Sequence, residues 1–145
     1  MHFHELPLQE SLLRATDELG YEEATEIQQA CIPAILKGKD VIGTSQTGTG
    51  KTAAFGLPLL QLCHIQQGKK LPQMLVLLPT RELAMQVGED LRKYLKYTEG
   101  LRTVIVYGGE PIVNQINELK KGADIIVGTP GRILDHIERS TIRLH

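Results

Sequence analysis

The sequence predicts an α/β fold, in which helices cover both faces of a parallel sheet. Short apolar runs rich in β-branched residues alternate with longer segments whose apolar residues recur at helical spacing. The runs are apolar on both sides, and strands of that kind are typical of a parallel sheet with two covered faces. Such sheets bind their ligands at the carboxyl ends of the strands. The 145 residues show no repeat and no evident linker, so we expect residues 1–145 to belong to one domain.

Four segments have clear helical spacing. A leucine-rich segment near the amino terminus is predicted to stop at Gly20, and a second helix over residues 26–37 is predicted to stop at Gly38. Two further amphipathic helices are expected over residues 81–95 and 112–121. The predicted strands cover residues 40–43, 74–78, 103–107 and 124–128.

A loop of small residues follows the first predicted strand and precedes another helical pattern. It reads Ser45-Gln46-Thr47-Gly48-Thr49-Gly50-Lys51-Thr52. This setting is typical of a P-loop NTPase, because small residues let backbone N–H groups surround a phosphate at a helix N-terminus. Lys51 would contact the β- and γ-phosphates and the Thr52 hydroxyl would ligate Mg²⁺, although Ser45 stands where the pattern has glycine. The alternative is a flexible loop that contains two glycines and a lysine.

Three of the predicted strands run into segments of small residues that can begin helices. These segments are residues 79–84, 108–111 and 129–132. Pro79 ends its strand and Thr80 can cap the next helix, so any one segment could be a capped turn and nothing more. Together, on the edge that also carries the P-loop, they favour a surface that binds phosphates.

Composition excludes several classes of protein. The net charge is −1, so nucleic-acid binding would have to come from local geometry. No apolar run has transmembrane length and the start of the chain has no signal-peptide pattern, so we expect a cytoplasmic protein without a membrane partner. Cys31 and Cys63 lack metal-ligand spacing and are expected to be reduced core thiols. We assign no metal to His2 or His4.

The motifs, taken in order, resemble the first RecA-like lobe of the DEAD-box RNA helicases. The residues around the motifs are similar to those of bacterial members. The resemblance runs from Phe3 to the end of the sequence. It rests on a Q motif region at 3–28, motif I at 45–52, motif Ia at 79–84, a GG motif at 108–109 and motif Ib at 129–132.

The resemblance implies an ATP site. Gln28 would hydrogen-bond adenine, because a side-chain amide matches the donor and acceptor at N6 and N7. Tyr21 would stack on the ring, Phe3 would support that end of the site, and Thr25 would support the loop. The residues expected to bind ATP are Phe3, Tyr21, Thr25, Gln28, Ser45, Gln46, Thr47, Gly48, Thr49, Gly50, Lys51 and Thr52. Thr25 and Gln28 also have the spacing of a capping box, a structural alternative that stays open, and Ala24 replaces the family's usual proline.

The resemblance also implies contacts with the backbone of single-stranded or duplex RNA. The matching positions are Thr80, Arg81, Gly109, Thr129, Gly131 and Arg132. Phosphate contacts position a strand without reading its bases, so we expect no sequence preference here.

The sequence ends at His145, before the family's Asp-Glu-Ala-Asp motif, and no carboxylate follows a predicted strand in its place. We therefore expect an incomplete lobe. The parent protein would be an ATP-dependent RNA helicase in which Lys51 and Thr52 serve catalysis, whereas these residues alone should bind ATP, Mg²⁺ and RNA without hydrolysis.

Two other functions stay open. One is a different P-loop enzyme, such as a small nucleotide kinase, and the other is a non-catalytic module that binds nucleotide or RNA. In the resembling family, the strand at 40–43 also pairs with a strand beyond His145. We therefore expect marginal stability, self-association or local rearrangement near the P-loop.

Overall fold

The computed structural model describes residues 1–44 and 50–144. Within these residues it contains six α-helices, one short 3₁₀ helix and three strands. They fall into two compact units, of which the first comprises residues 1–64 and 93–99 and the second comprises the remainder. None of the described helices is long and apolar enough to cross a membrane.

The first unit is helical. It contains the 3₁₀ helix Phe3–Glu5, α1 (Glu10–Glu18), α2 (Glu26–Leu36) and α3 (Lys51–Leu62). The predicted stops are confirmed, since Gly20 and Gly38 follow α1 and α2 with φ angles of 85° and 81°. Helices α2 and α3 pack against each other, and Ile32 and Leu57 are fully buried. The two cysteines do not form a disulfide; Cys31 is buried, and Cys63 is partly buried with its Sγ donating to the carbonyl oxygen of Leu59 at 3.4 Å.

The second unit contains the sheet. Its elements are β1 (Met74–Leu77), α4 (Arg81–Tyr94), β2 (Thr103–Val106), α5 (Ile112–Lys120), β3 (Ile125–Gly128) and α6 (Pro130–Glu138), with the last two residues of α4 grouped in the first unit. The strands are parallel in the order β1-β3-β2, and Ile125 is in register with both Met74 and Thr103. Three of the four predicted strands and the parallel pairing are therefore confirmed.

Helices cover both faces of β2. Val104 and Val106 belong to a buried cluster with Leu119 of α5 and Ile133 of α6. Ile105 points to the opposite face, where a Cβ added to Gly88 of α4 would lie 2.3 Å from its Cδ1 atom. Glycine at this position thus lets α4 approach the sheet closely, and the expected cover on both faces is confirmed for this strand.

The outer strand β1 is less well covered than its sequence predicts. Its residues alternate between buried and exposed, and Leu75 and Leu77 are 38% and 54% exposed. All four residues of the central strand β3 are buried. Apolar side chains on both sides of a run therefore predicted burial correctly for β3 and wrongly for β1, which lies at an edge of the sheet.

The strand predicted over residues 40–43 is wrong. These residues are described without strand structure, and Ile42 is 97% exposed. An extended segment becomes a strand only when a neighbour supplies ladder hydrogen bonds. None of the three described strands pairs with residues 40–43. The β-branched side chains of this segment were therefore not sufficient to make it a strand.

A buried carboxylate holds the amino end of the sheet. Asp124 is fully buried and precedes β3. It accepts hydrogen bonds from the backbone N–H of Arg102 (2.8 Å), Lys70 Nζ (2.9 Å), Gln66 Nε2 (2.8 Å) and Gln73 Nε2 (3.0 Å). Burial alone would raise the pKa of Asp124, but these donors outweigh it and lower the pKa below its ordinary value. Asp124 therefore joins the segments that lead into all three strands.

Candidate functional site

The first unit contains a cavity at the predicted adenine residues. Its volume is about 400 Å³, and it is lined by Gly20, Tyr21, Glu22, Glu23, Thr25, Gln28 and Gly50. Four of the residues expected to contact ATP, Tyr21, Thr25, Gln28 and Gly50, thus lie around one opening. The size is within the range of small-molecule sites, about 300–1,000 Å³.

The capping box expected as an alternative role for Gln28 is present. Gln28 Oε1 accepts the N–H of Thr25 at 2.9 Å, and Thr25 Oγ1 accepts the N–H of Gln28 at 3.3 Å. Gln28 is only 4% exposed. Its amide is therefore held in a single orientation at the wall of the cavity, with Oε1 occupied by the protein.

The same two residues contact Gly50, near the end of the predicted P-loop. Gln28 Nε2 lies 3.4 Å from the carbonyl oxygen of Gly50, which has a φ angle of 85°. A Cβ at Gly50 would lie 2.9 Å from Thr25 Oγ1 and 3.0 Å from Gln28 Nε2. Glycine is required here both by the left-handed backbone and by this close approach.

Three aromatic rings stabilise the cavity wall. Phe3 is 1% exposed and meets Tyr21 edge-to-face with 5.5 Å between ring centroids. Tyr21 meets Tyr94 in the same manner, and their hydroxyl oxygens lie 2.9 Å apart. Tyr94 was missed in the sequence because nothing in its helical pattern distinguishes it from a core residue. The rings of Phe3 and Tyr94 fix the position of Tyr21.

The loop predicted to bind phosphate is described only at its end. Ser45, Gln46, Thr47, Gly48 and Thr49 lie outside the described residues. Gly50 is the N-cap of α3, and Lys51 and Thr52 are its first two residues and are partly exposed. The N–H groups and the dipole of a helix N-terminus favour an anion.

In the second unit, the predicted RNA residues share one edge of the sheet. Because β1, β2 and β3 are parallel, the segments that begin at Thr80, Gly108 and Thr129 all follow carboxyl ends. Thr80 Oγ1 accepts the N–H of Leu83 at 3.2 Å and so caps α4. A Cβ at Gly131, at the start of α6, would meet nothing within 4 Å, so a ligand has room there.

Arg81 and the GG turn are in contact. The Arg81 guanidinium lies over the ring of Tyr107, 5.0 Å from its centroid. A Cβ at Gly109 would be 3.1 Å from Arg81 Nη1, and Gly109 has a φ angle of 90°. A hydrogen bond to Glu110, aided by burial, raises the pKa of Tyr107. The phenol therefore stays neutral beside the exposed guanidinium.

Arg132 is turned partly into the protein. Its Nη1 atom donates to the carbonyl oxygen of Glu110 at 3.1 Å and to Gln115 Oε1 at 3.0 Å. Gln115 is 2% exposed, and sequence reasoning missed it. The available signal was a polar residue on the apolar face of α5, between Ile112 and Ile116.

Nearly the whole sequence is similar to known proteins. Residues 25–145 match the family model described as DEAD/DEAH box helicase. The chain is 53% identical over 142 residues to the ATP-dependent RNA helicase DeaD of Haemophilus influenzae, covering 98% of this chain and 23% of that protein. It is 56% identical, with 98% and 26% coverage, to the DEAD-box ATP-dependent RNA helicase CshA of Bacillus cereus. The chain thus spans about a quarter of the length of these curated relatives.

Solved structures give the same result. A crystal structure of a DEAD box protein from Methanococcus jannaschii superposes with a TM-score of 0.87 at 42% identity, covering 99% of this chain and 38% of that one. A hypothetical ATP-dependent RNA helicase from Sulfolobus tokodaii gives a TM-score of 0.81 at 41% identity, covering 93% of this chain and 38% of that one.

Proposed function

Because the chain belongs to the DEAD/DEAH box helicase family, we propose that it contributes nucleotide-binding and RNA-binding residues to an ATP-dependent RNA helicase. The observation that carries the proposal is the cavity at Tyr21, Thr25, Gln28 and Gly50, which adjoins the N-terminus of α3. An adenine-binding opening beside a phosphate-binding helix end is the arrangement that an adenine nucleotide requires.

In this proposal, adenine enters the cavity and stacks on Tyr21, whose position Phe3 and Tyr94 fix. The Gln28 amide group donates to the base. Among residues 1–44 and 50–144, the contact found for its Nε2 atom is a long one of 3.4 Å to the carbonyl oxygen of Gly50, so this donor is the part of the amide proposed to bind a ligand. Thr25 holds the amide in place from the other side.

The phosphates would lie against the loop of residues 45–52, with Lys51 supplying positive charge. A threonine hydroxyl is a hard oxygen ligand of the type that Mg²⁺ takes together with phosphates and water, and Thr52 on the first turn of α3 fits that role. Bound Mg²⁺ would neutralise charge on the nucleotide phosphates. The contribution of this chain is to orient the nucleotide at the helix end.

RNA would bind the second unit at the carboxyl edge of the sheet. The proposed contacts are Thr80, Arg81, Gly109, Thr129, Gly131 and Arg132. Backbone N–H groups, hydroxyls and guanidinium groups are donors suited to phosphate oxygens, and they do not distinguish bases.

Gln28→Glu tests the nucleotide site while it preserves the cap. Glutamate keeps an acceptor for the Thr25 N–H but lacks the amide donor, so we expect ADP affinity to fall by about 1–3 kcal/mol. The matched control is Gln29→Glu, since Gln29 donates to the carbonyl of Ala24 and does not line the cavity. Calorimetry measures both affinities, and thermal unfolding checks the fold.

Equal binding of ADP and GDP by the unmutated chain would refute the adenine assignment. Equal losses in the Gln28→Glu and Gln29→Glu variants would refute the role of Gln28.

A further inference from the structure

A buried polar network lies beneath the proposed RNA surface. Its centre is Gln115 of α5, and its other members are Arg132 and His136 of α6 and Thr141, which follows α6. Gln115 Oε1 is 3.0 Å from both Arg132 Nη1 and His136 Nε2. His136 is fully buried, and its Nδ1 atom lies 2.7 Å from Thr141 Oγ1. Four polar side chains are thus connected in an otherwise apolar region.

The chemistry of these groups fixes the orientation of the Gln115 amide and the hydrogen on His136 Nε2. Gln115 Nε2 donates to the carbonyl oxygen of Tyr107 at 2.8 Å, so Oε1 is the atom that faces Arg132 and His136. Arginine can only donate and the amide oxygen can only accept. His136 must therefore carry a hydrogen on Nε2. When the ring is neutral, its Nδ1 atom accepts from the Thr141 hydroxyl, which then does not donate to the carbonyl oxygen of His136, 3.0 Å away.

The network holds both ends of the GG turn. Gln115 Nε2 binds the carbonyl of Tyr107, directly before Gly108–Gly109, and Arg132 Nη1 binds the carbonyl of Glu110, directly after it. The two donors are themselves joined through Gln115 Oε1. A change at Gln115 would therefore release one end of the turn and one support of Arg132 together.

We propose that Gln115 and His136 are positioning residues for RNA backbone binding, an inference that rests on the proposed function. They hold one amino group of Arg132 inside the protein, so that the rest of the guanidinium and the turn 108–109 are presented to RNA in fixed relation. Apolar side chains could fill the same space without the cost of burying polar groups. The polar network thus serves the geometry of the surface.

The primary test is Gln115→Met, which keeps the length of the side chain and removes the amide. We expect the affinity for fluorescein-labelled poly(U) RNA to fall about tenfold while ADP affinity stays within twofold. Arg132→Lys keeps the charge but replaces the planar guanidinium, which binds two acceptors through one amino group and presents the other outward, with a compact ammonium, so we expect a similar fall. The double variant should lose little more than either single one, because both changes break one network.

Leu119→Ala is the stability control, since Leu119 is buried in the adjacent apolar cluster and has no polar contact with the network. For the three single variants, we compare the loss of RNA affinity with the loss of stability in urea. A positioning role predicts that Gln115→Met and Arg132→Lys lose more RNA affinity than a general loss of stability, as in Leu119→Ala, would cause. A long-range ¹H–¹⁵N spectrum should also show the Nε2–H form of neutral His136.

Unchanged RNA affinity in Gln115→Met, an equal loss in Leu119→Ala, or a Nδ1–H tautomer of His136 would each overturn the inference. If Arg132→Ala and Arg81→Ala both leave RNA binding unchanged, the proposed RNA surface itself is wrong, and that outcome is distinct from the first three.

Discussion

Asp124 is a single residue on which the second unit depends. Its carboxylate accepts four donors in a fully buried position. In the Asp124→Asn variant, an amide N–H₂ would face some of those donors, and Lys70 would lose its counter-charge. We expect the free energy of unfolding in urea to fall by about 3–5 kcal/mol, as when one partner of a buried ion pair is removed.

The control for this prediction is Asp135→Asn. Asp135 pairs with Arg139 at 2.9 Å on the exposed surface of α6, and such a pair contributes about 0.3–0.5 kcal/mol. Similar losses in the two variants would contradict the role given to Asp124.

His136 gives the stability a pH dependence. Burial, followed by the nearby charge of Arg132, lowers the pKa of His136 below its ordinary value, which is about 6.5. The unfolded chain therefore takes up a proton that the folded chain does not, and stability should decline as the pH falls below about 6.5. Asp124, whose pKa is also lowered, loses its contribution only at much lower pH.

Urea unfolding at several pH values between 7.5 and 5 measures this decline. Each unit by which folding lowers the pKa of His136 corresponds to about 1.4 kcal/mol in the free energy of unfolding. His136→Gln should flatten the profile over that range. A wild-type profile that is already flat, or one that rises toward acid pH, would show that His136 does not titrate as described.

At the scale of elements, the carboxyl ends of the three strands set the expected RNA behaviour. Arg81→Ala should weaken binding to different single-stranded sequences by the same factor and reduce the log–log salt slope by about one unit. Arg139→Ala removes the same charge just after α6, at the end of the helix opposite to the proposed contacts, and serves as the control. Fluorescence anisotropy at several salt concentrations measures both, and a changed order of sequence preference would contradict a phosphate-only contact.

Helices and strands were predictable from the sequence wherever the local residue pattern alone determines them. The helix stops at Gly20 and Gly38 and the strands β1 to β3 follow from spacing and β-branched composition. The segment 40–43 has the same composition but no strand structure, because pairing depends on a neighbour that composition does not report. Gln115 and Tyr94 were missed for the same reason, since their roles depend on residues brought close only by folding.

At the scale of the whole molecule, we expect a polypeptide of these 145 residues to bind ATP without hydrolysing it. Phosphoryl transfer requires groups that hold the metal and position the attacking water. Within the described residues, β1, β2 and β3 are followed by Leu78, Tyr107 and Thr129, so none delivers a carboxylate at its carboxyl end. RNA-stimulated phosphate release that disappears in Lys51→Ala would contradict this expectation.

We also expect the same polypeptide to self-associate as its concentration rises. Leu75 and Leu77 are exposed on β1, whose outer edge is unpaired among the described strands, and Ile42 is almost fully exposed. Open strand edges and apolar surface both favour association. Leu77→Lys should shift the sedimentation profile toward monomer, whereas Val113→Lys, at an exposed position of α5, should not. A wild-type monomer at every concentration would contradict the prediction.

The strand order has a consequence for the folding of this protein during its synthesis on the ribosome. The central strand β3 is the last of the three in the chain, and Gly128 comes 51 positions after Leu77. At a synthesis rate of about 5–20 residues per second, roughly 3–10 s pass between the synthesis of β1 and that of its partner β3. During that interval an apolar strand has no neighbour in this sheet, so slower translation lengthens its exposure to other nascent chains and to chaperones.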